Sequence, residues 1–162
     1  MKRILAFLLM FGAGLAHAEP ITWYLQGVTF ADGATVSGSF DYDANTNVYS
    51  NVAVSSTSGS AFAGDDYSYG MLIAEFTPSA TSVNFSPASQ PVAKDGELMI
   101  DFLSALTNAG GTVEIATAGS LSKEGLCAEA PLIPKENLSC DGGGLVNWLR
   151  IIAQGSVTTT IK

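Results

Sequence analysis

Asp41, Asp43, Asn45 and Asn47 stand at alternate positions in GSFDYDANTNVYSNVAV, residues 38–54. Oxygen-bearing side chains at this spacing suit a calcium loop, because alternate residues of a tight loop can turn their oxygens onto one ion. A loop of the EF-hand type also needs glycine at its sixth position and a bidentate acid at its twelfth. Counted from Asp41, those positions hold Thr46 and Val52; counted from Asp43, they hold Val48 and Val54. Both registers fail twice. The same residues suit a β-hairpin tip, since Asp and Asn tolerate turn conformations and bond their own backbone. The expectation is a turn joining Phe40-Asp41-Tyr42 to Val48-Tyr49, with calcium at Asp41, Asp43, Asn45 and Asn47 as the alternative.

Nucleophilic chemistry is limited by one absence. The single histidine, His17, falls in an N-terminal segment with the marks of a secretory signal. Lys2 and Arg3 form a basic start, residues 4–15 are apolar with only glycine and alanine interrupting, and Ala16-His17-Ala18 gives the small-x-small cleavage pattern. The apolar run is too short for a permanent span. Cleavage is expected to leave Glu19 first and an exported domain, 19–162, without histidine. A Ser-His-Asp or Cys-His nucleophile pair is then impossible, as is histidine-ligated zinc, copper or haem. Gly142 to Gly144 lacks the lysine and the helix that a phosphate loop needs. Neither a nucleotide nor any other cofactor is expected.

Carboxylates and aromatic rings are what remains. Asp65-Asp66, Glu75, Glu97, Asp101 and Glu114 could supply the acid and base of glycoside cleavage, but charges on the wet faces of strands are the simpler reading. No enzyme is expected. Aromatic side chains offer a binding chemistry instead, since a sugar's apolar ring face stacks on an aromatic plane. Trp23 and Tyr24 are neighbours on a strand and must point to opposite faces. Alternation sets Trp148 opposite Leu149 and Ile151, and puts Tyr67 and Tyr69 on one face. The competing reading is that all five rings fill the core.

The elements that would position these groups are strands. TVSGSFDY alternates strictly, with Val36, Gly38, Phe40 and Tyr42 on one face and Thr35, Ser37, Ser39 and Asp41 on the other. ITWYLQGVTF precedes it, with Asp32-Gly33 as the turn between, and 48–55 follows. DYSYGMLIAEF is expected as one strand, and TSVNFS as a short one fenced by Pro78 and Pro87. After the Lys94-Asp95-Gly96 turn, Leu98, Ile100 and Phe102 share a face, and a hairpin through Thr107–Gly111 to TVEIATA is expected. The last run, LVNWLRIIAQGSVTTTIK, is β-rich, with Gly155 marking a bend or bulge. Helical periodicity is almost absent, so the expected fold is all-β: an antiparallel β-sandwich or jelly-roll-like pair of sheets in one domain.

Charge narrows the partners. Without the signal segment, 15 acidic residues face 5 basic ones, a net charge of −10. Such a surface repels phosphate backbones and anionic membranes, so neither nucleic acid nor a membrane is expected as a partner. Cys127 and Cys140 bound LCAEAPLIPKENLSC, and in an oxidising compartment they are expected to form a disulfide worth about 3 kcal/mol.

Several stretches resemble a known group of proteins. LQGVTFADGATVSGSFDYDANTNVYSNVAVSS is similar to the N-terminal part of secreted bacterial proteins of the PEP-CTERM sorting type, which run GVTF, DDG, GSFxYD, VYSN. SALTNAGGTVEIA resembles their LTNAGGTV hairpin, and the two cysteines and the final GSVTTT follow in similar order. The resemblance implies an exported β-rich domain, mostly without assigned activity, in bacteria that make exopolysaccharide. No Pro-Glu-Pro motif, apolar C-terminal helix or basic cluster stands before Lys162, so a free secreted or periplasmic protein is expected. The expected partners are extracellular polysaccharide or surface proteins, with a structural or adhesive protein-binding module, a calcium-stabilised module and a carboxylate-based hydrolase as the alternatives.

Overall fold

The computed structural model describes residues 19–71, 78–88, 95–127 and 146–160. Residues 1–18, expected to be a signal segment, and Glu75, Lys94, Cys140 and Gly142 to Gly144 lie outside the described residues.

Alternation produces the first three strands where it was expected. Strand β1 (Ile21–Phe30) turns at Asp32-Gly33 into β2 (Thr35–Asp43), the Phe30 amide donating to Ala34 O at 2.8 Å. A second turn leads to β3 (Val48–Ser56), with Tyr42 facing Tyr49 and Asp43 facing Val48. Val36, Phe40 and Tyr42 are all buried, as one face of a half-wet strand must be. Of the strand expected over 66–76, residues 72–76 lie outside the described residues, and the described part is split. Ser68 leaves the ladder, separating β4 (Asp66–Tyr67), which pairs with β3, from β5 (Tyr69–Met71), which pairs with β6 (Ser82–Ser86).

Strand β7 (Gly96–Asp101) pairs with β6 on one side and with β9 (Lys123–Cys127) on the other. The expected hairpin to β8 (Thr112–Glu114) is replaced by a longer connection that buries Leu106. Its paired remnant is one bridge, Phe102 to Ile115, while β8 itself joins β10 (Val146–Thr158). A Ala118–Ser120 turn of 3-10 type precedes β9.

The long strand β10 organises the whole. It pairs with β1 through its C-terminal half and with β9 through its N-terminal half. Every strand therefore lies on one antiparallel path, β4-β3-β2-β1-β10-β9-β7-β6-β5, with β8 alongside β10. The two ends of that path approach one another: β3 packs on β5, and the Tyr49 hydroxyl donates to Ser79 O at 2.7 Å. The result is a nearly closed, barrel-like sheet. The all-β antiparallel expectation is met in this coarser form.

Bulges supply the bending that closure demands. Gly27 (φ +59°) and Gly155 (φ +147°) sit at a register shift between β1 and β10, where a Cβ on Gly155 would lie 2.7 Å from Val28 Cα. Only glycine fits that approach. Inside, Phe40 contacts Tyr49, Phe85 and Phe102 with centroids 5.2–6.4 Å apart, drawing β2, β3 and β6 around one core. Among the described residues, no helix is long and apolar enough to cross a membrane.

Candidate functional site

A second bulge creates the site. Between Trp148 and Arg150 the β9–β10 register slips. In an uninterrupted strand these side chains would share a face. The extra residue sends them apart: Trp148 stands opposite Gly125 on the outer face, and Arg150 stands opposite Glu124 on the inner one. The same slip overturns the expected separation of Trp148 from Ile151. Ile151 pairs with Lys123 and Trp148 with Gly125, two β9 positions on one face.

On the inner face Arg150 organises a buried polar chain. Its Nε donates to Glu124 Oε2, its Nη2 donates to Thr57 O at 3.0 Å, and its Nη1 lies 3.5 Å from Asp32 Oδ2. Glu124 Oε1 accepts from the Tyr67 hydroxyl. Burial, with the Glu124 carboxylate beside it, pushes the Tyr67 hydroxyl far above its ordinary range, so it remains a donor. Burial alone would raise Asp32, but the Ala34 amide and the Arg150 charge outweigh it and hold that carboxyl below its usual value. The guanidinium also lies over two rings, 4.0 Å from the Phe30 centroid and 5.3 Å from that of Phe62. Residues 59–62 turn back over the ion pair, the Gly59 amide donating to Phe62 O at 2.8 Å. A Cβ on Gly59 would stand 2.1 Å from Asp32 Oδ2 and 2.7 Å from Arg150 Nη1, so a larger residue would force the pair apart.

On the outside, an open cleft of about 520 Å³ runs over this chain, walled by Asp32, Ser60, Ala61, Trp148, Arg150 and Ile151. Trp148 is half-buried there, and the Lys123 ammonium sits 4.7 Å from its ring centroid. An aromatic wall, a hydroxyl and a carboxylate thus border one open space, which can hold a ring with polar substituents.

The other sequence candidates go elsewhere. Trp23 is wholly buried in the core and Tyr67 almost so; neither can stack on a ligand arriving from solvent. Tyr24 is half-buried and Tyr69 is 45% exposed. Tyr67 and Tyr69 do not share a face, because the break at Ser68 intervenes. The carboxylates scatter too. Asp66 and Glu114 are exposed, Asp65 Oδ2 accepts from the Gly96 amide at 2.9 Å, and Asp101 is half-buried. Glu97 is fully buried, accepting from Asn84 Nδ2, with Cys127 Sγ at 3.5 Å. Burial drives its pKa up to about 8; the Asn84 bond opposes this, and Asp95 and Asp65 reinforce it. Cys127 is buried, and its expected partner Cys140 lies outside the described residues.

The Asp41–Asn47 stretch forms the hairpin turn, and its oxygens are engaged internally. Asp41 accepts from Thr22 Oγ1 at 2.6 Å and Asn51 Nδ2 at 2.7 Å; Asp43 accepts from the Asn45 amide, Thr46 Oγ1 and Asn108 Nδ2. Asn47, at φ +57°, accepts from the Tyr42 hydroxyl at 2.7 Å. Asn45 is exposed. Among the described residues no group of three or more His, Cys, Asp or Glu side chains converges as a metal site.

Sequence reasoning missed Lys123, Glu124, Asp32 and Arg150. One signal was present: Arg150 interrupts the apolar run LRII, and a charge at an inward-facing strand position demands a buried partner. No protein-family model, curated protein or solved structure matches the chain.

Proposed function

We propose that this chain is an exported, non-catalytic β-protein that binds extracellular polysaccharide, with the Trp148 cleft as its sugar contact. The observation that carries the proposal is Trp148 itself: a half-buried indole on the wall of an open cleft, with Ser60 and Asp32 beside it. Sugars offer an apolar ring face to such a plane and hydroxyls to the polar groups around it. The resemblance to exported proteins of exopolysaccharide-making bacteria points the same way. Cleavage after Ala18 and a Cys127–Cys140 disulfide belong to the same proposal, as does the arrangement of the strands as an antiparallel β-sandwich or jelly-roll-like pair of sheets.

The test is retention of the exported chain on extracellular polysaccharide from its producing cell. Wild type is expected to be retained and Trp148→Ala to be lost from the bound fraction at unchanged melting temperature. Equal retention of both proteins would refute the assignment of the cleft, and no retention of either would turn the search to protein partners.

A further inference from the structure

The charge distribution around the cleft narrows its ligand. The described part of the chain holds two basic side chains, Lys123 and Arg150, on adjacent strands: Arg150 lines the cleft, and Lys123 sits over the ring of Trp148, which walls it. They do different work. Arg150 is committed: its side chain is 2% exposed, Glu124 and Asp32 take up its charge, and its Nε and Nη2 donate to Glu124 and Thr57 O. Lys123 is not. It is half-buried, it lies over the Trp148 ring, and among the described residues no carboxylate forms an ion pair with it. Glu97 and Asp101 flank Met99, its register partner on β7, on the same face, yet neither makes an ion pair with Lys123.

An ammonium with no ion-pair partner among the described residues is therefore held against an aromatic platform in a chain whose exported charge is −10. A neutral sugar would leave that charge unused. A sugar ring carrying a carboxylate would use both groups, the ring stacking on Trp148 and the anion meeting Lys123 Nζ. We infer that the cleft selects uronic-acid residues, so that the ligand is an acidic polysaccharide; this rests on the sugar-binding role proposed for the cleft. Acidic glycan is recognised at one local cationic point, and the surrounding negative surface restricts binding to ligands that reach it.

The test is calorimetric titration of the exported chain with galacturonate and glucuronate oligomers and with the same oligomers after carboxyl reduction, at low and high salt. Wild type is expected to bind an acidic oligomer at least tenfold more tightly than its reduced counterpart, with the advantage shrinking as salt rises. Lys123→Gln is expected to erase that preference while leaving affinity for the reduced oligomer within twofold; Trp148→Ala loses both. Equal or tighter binding of the reduced oligomer overturns the inference, as does a preference that survives in Lys123→Gln. Binding of neither oligomer also overturns it, and the sugar-binding role falls with it only if the native polysaccharide is unbound as well.

Discussion

Glu124 and Arg150 are direct register partners across β9 and β10, and both side chains lie inside the barrel-like sheet, the carboxylate fully buried. The β10 bulge makes this possible by turning Arg150 inward two residues after Trp148 turns outward. The pair thus fixes the strand geometry that presents the indole to the cleft.

Removing one partner strands the other. Arg150→Ala leaves a buried carboxylate with only the Tyr67 hydroxyl, and is expected to cost about 3–5 kcal/mol in urea denaturation. The paired replacement Glu124→Leu with Arg150→Met removes both charges and is expected to recover most of that loss. A single variant as stable as wild type would show that the pair is not formed.

Glu97 gives stability a pH dependence of definite sign. Below its ordinary pKa of 4.5 it is protonated in folded and unfolded chains alike. Between there and about pH 8 the unfolded chain releases the proton while the folded chain keeps it, so stability falls as pH rises through that window. Each unit of the shift is worth about 1.4 kcal/mol. Asp32 acts oppositely, its contribution disappearing as pH falls below its ordinary 3.8. Denaturation curves across pH 4.5–8 should show the Glu97 decline in wild type and a flatter profile in Glu97→Gln. Identical slopes would contradict the burial of an acid at this position.

Asp43 ties the β2–β3 turn to the loop before β8. Its carboxylate accepts from the Asn45 amide and from Asn108 Nδ2, and Asn108 Oδ1 in turn accepts from the Ala44 amide at 2.8 Å. Asp43→Ala is expected to cost about 1–3 kcal/mol by removing the charged acceptor of three part-buried hydrogen bonds. Because the oxygens already have partners, calcium is expected to leave the melting temperature unchanged. A clear rise with calcium would restore the metal alternative.

How much of this was legible follows from what alternation can encode. Val36, Phe40 and Tyr42 announce a half-buried strand, and Asp32-Gly33 announces its turn, because both signals are local. Gly155 marked its bulge for the same reason, a backbone approach that no side chain tolerates. The Trp148 bulge carries no such mark, since Leu149 looks like any strand residue; the faces of Trp148 and Ile151 were therefore misassigned. The pairing of β8 with β10 was equally hidden, because it depends on a partner more than forty residues away, Thr112 facing Thr158. Of the five aromatic candidates, only burial could separate Trp23 and Tyr67, which fill the interior, from Trp148, which borders the cleft.

The most direct test is the affinity of the chain from Glu19 onward for extracellular polysaccharide of its producing cell, measured by calorimetry for wild type, Trp148→Ala and Tyr69→Ala. The account requires at least a tenfold loss in Trp148→Ala, none beyond twofold in Tyr69→Ala, and one melting temperature for all three. Wild-type affinity in Trp148→Ala would contradict it and remove the cleft from the protein's function.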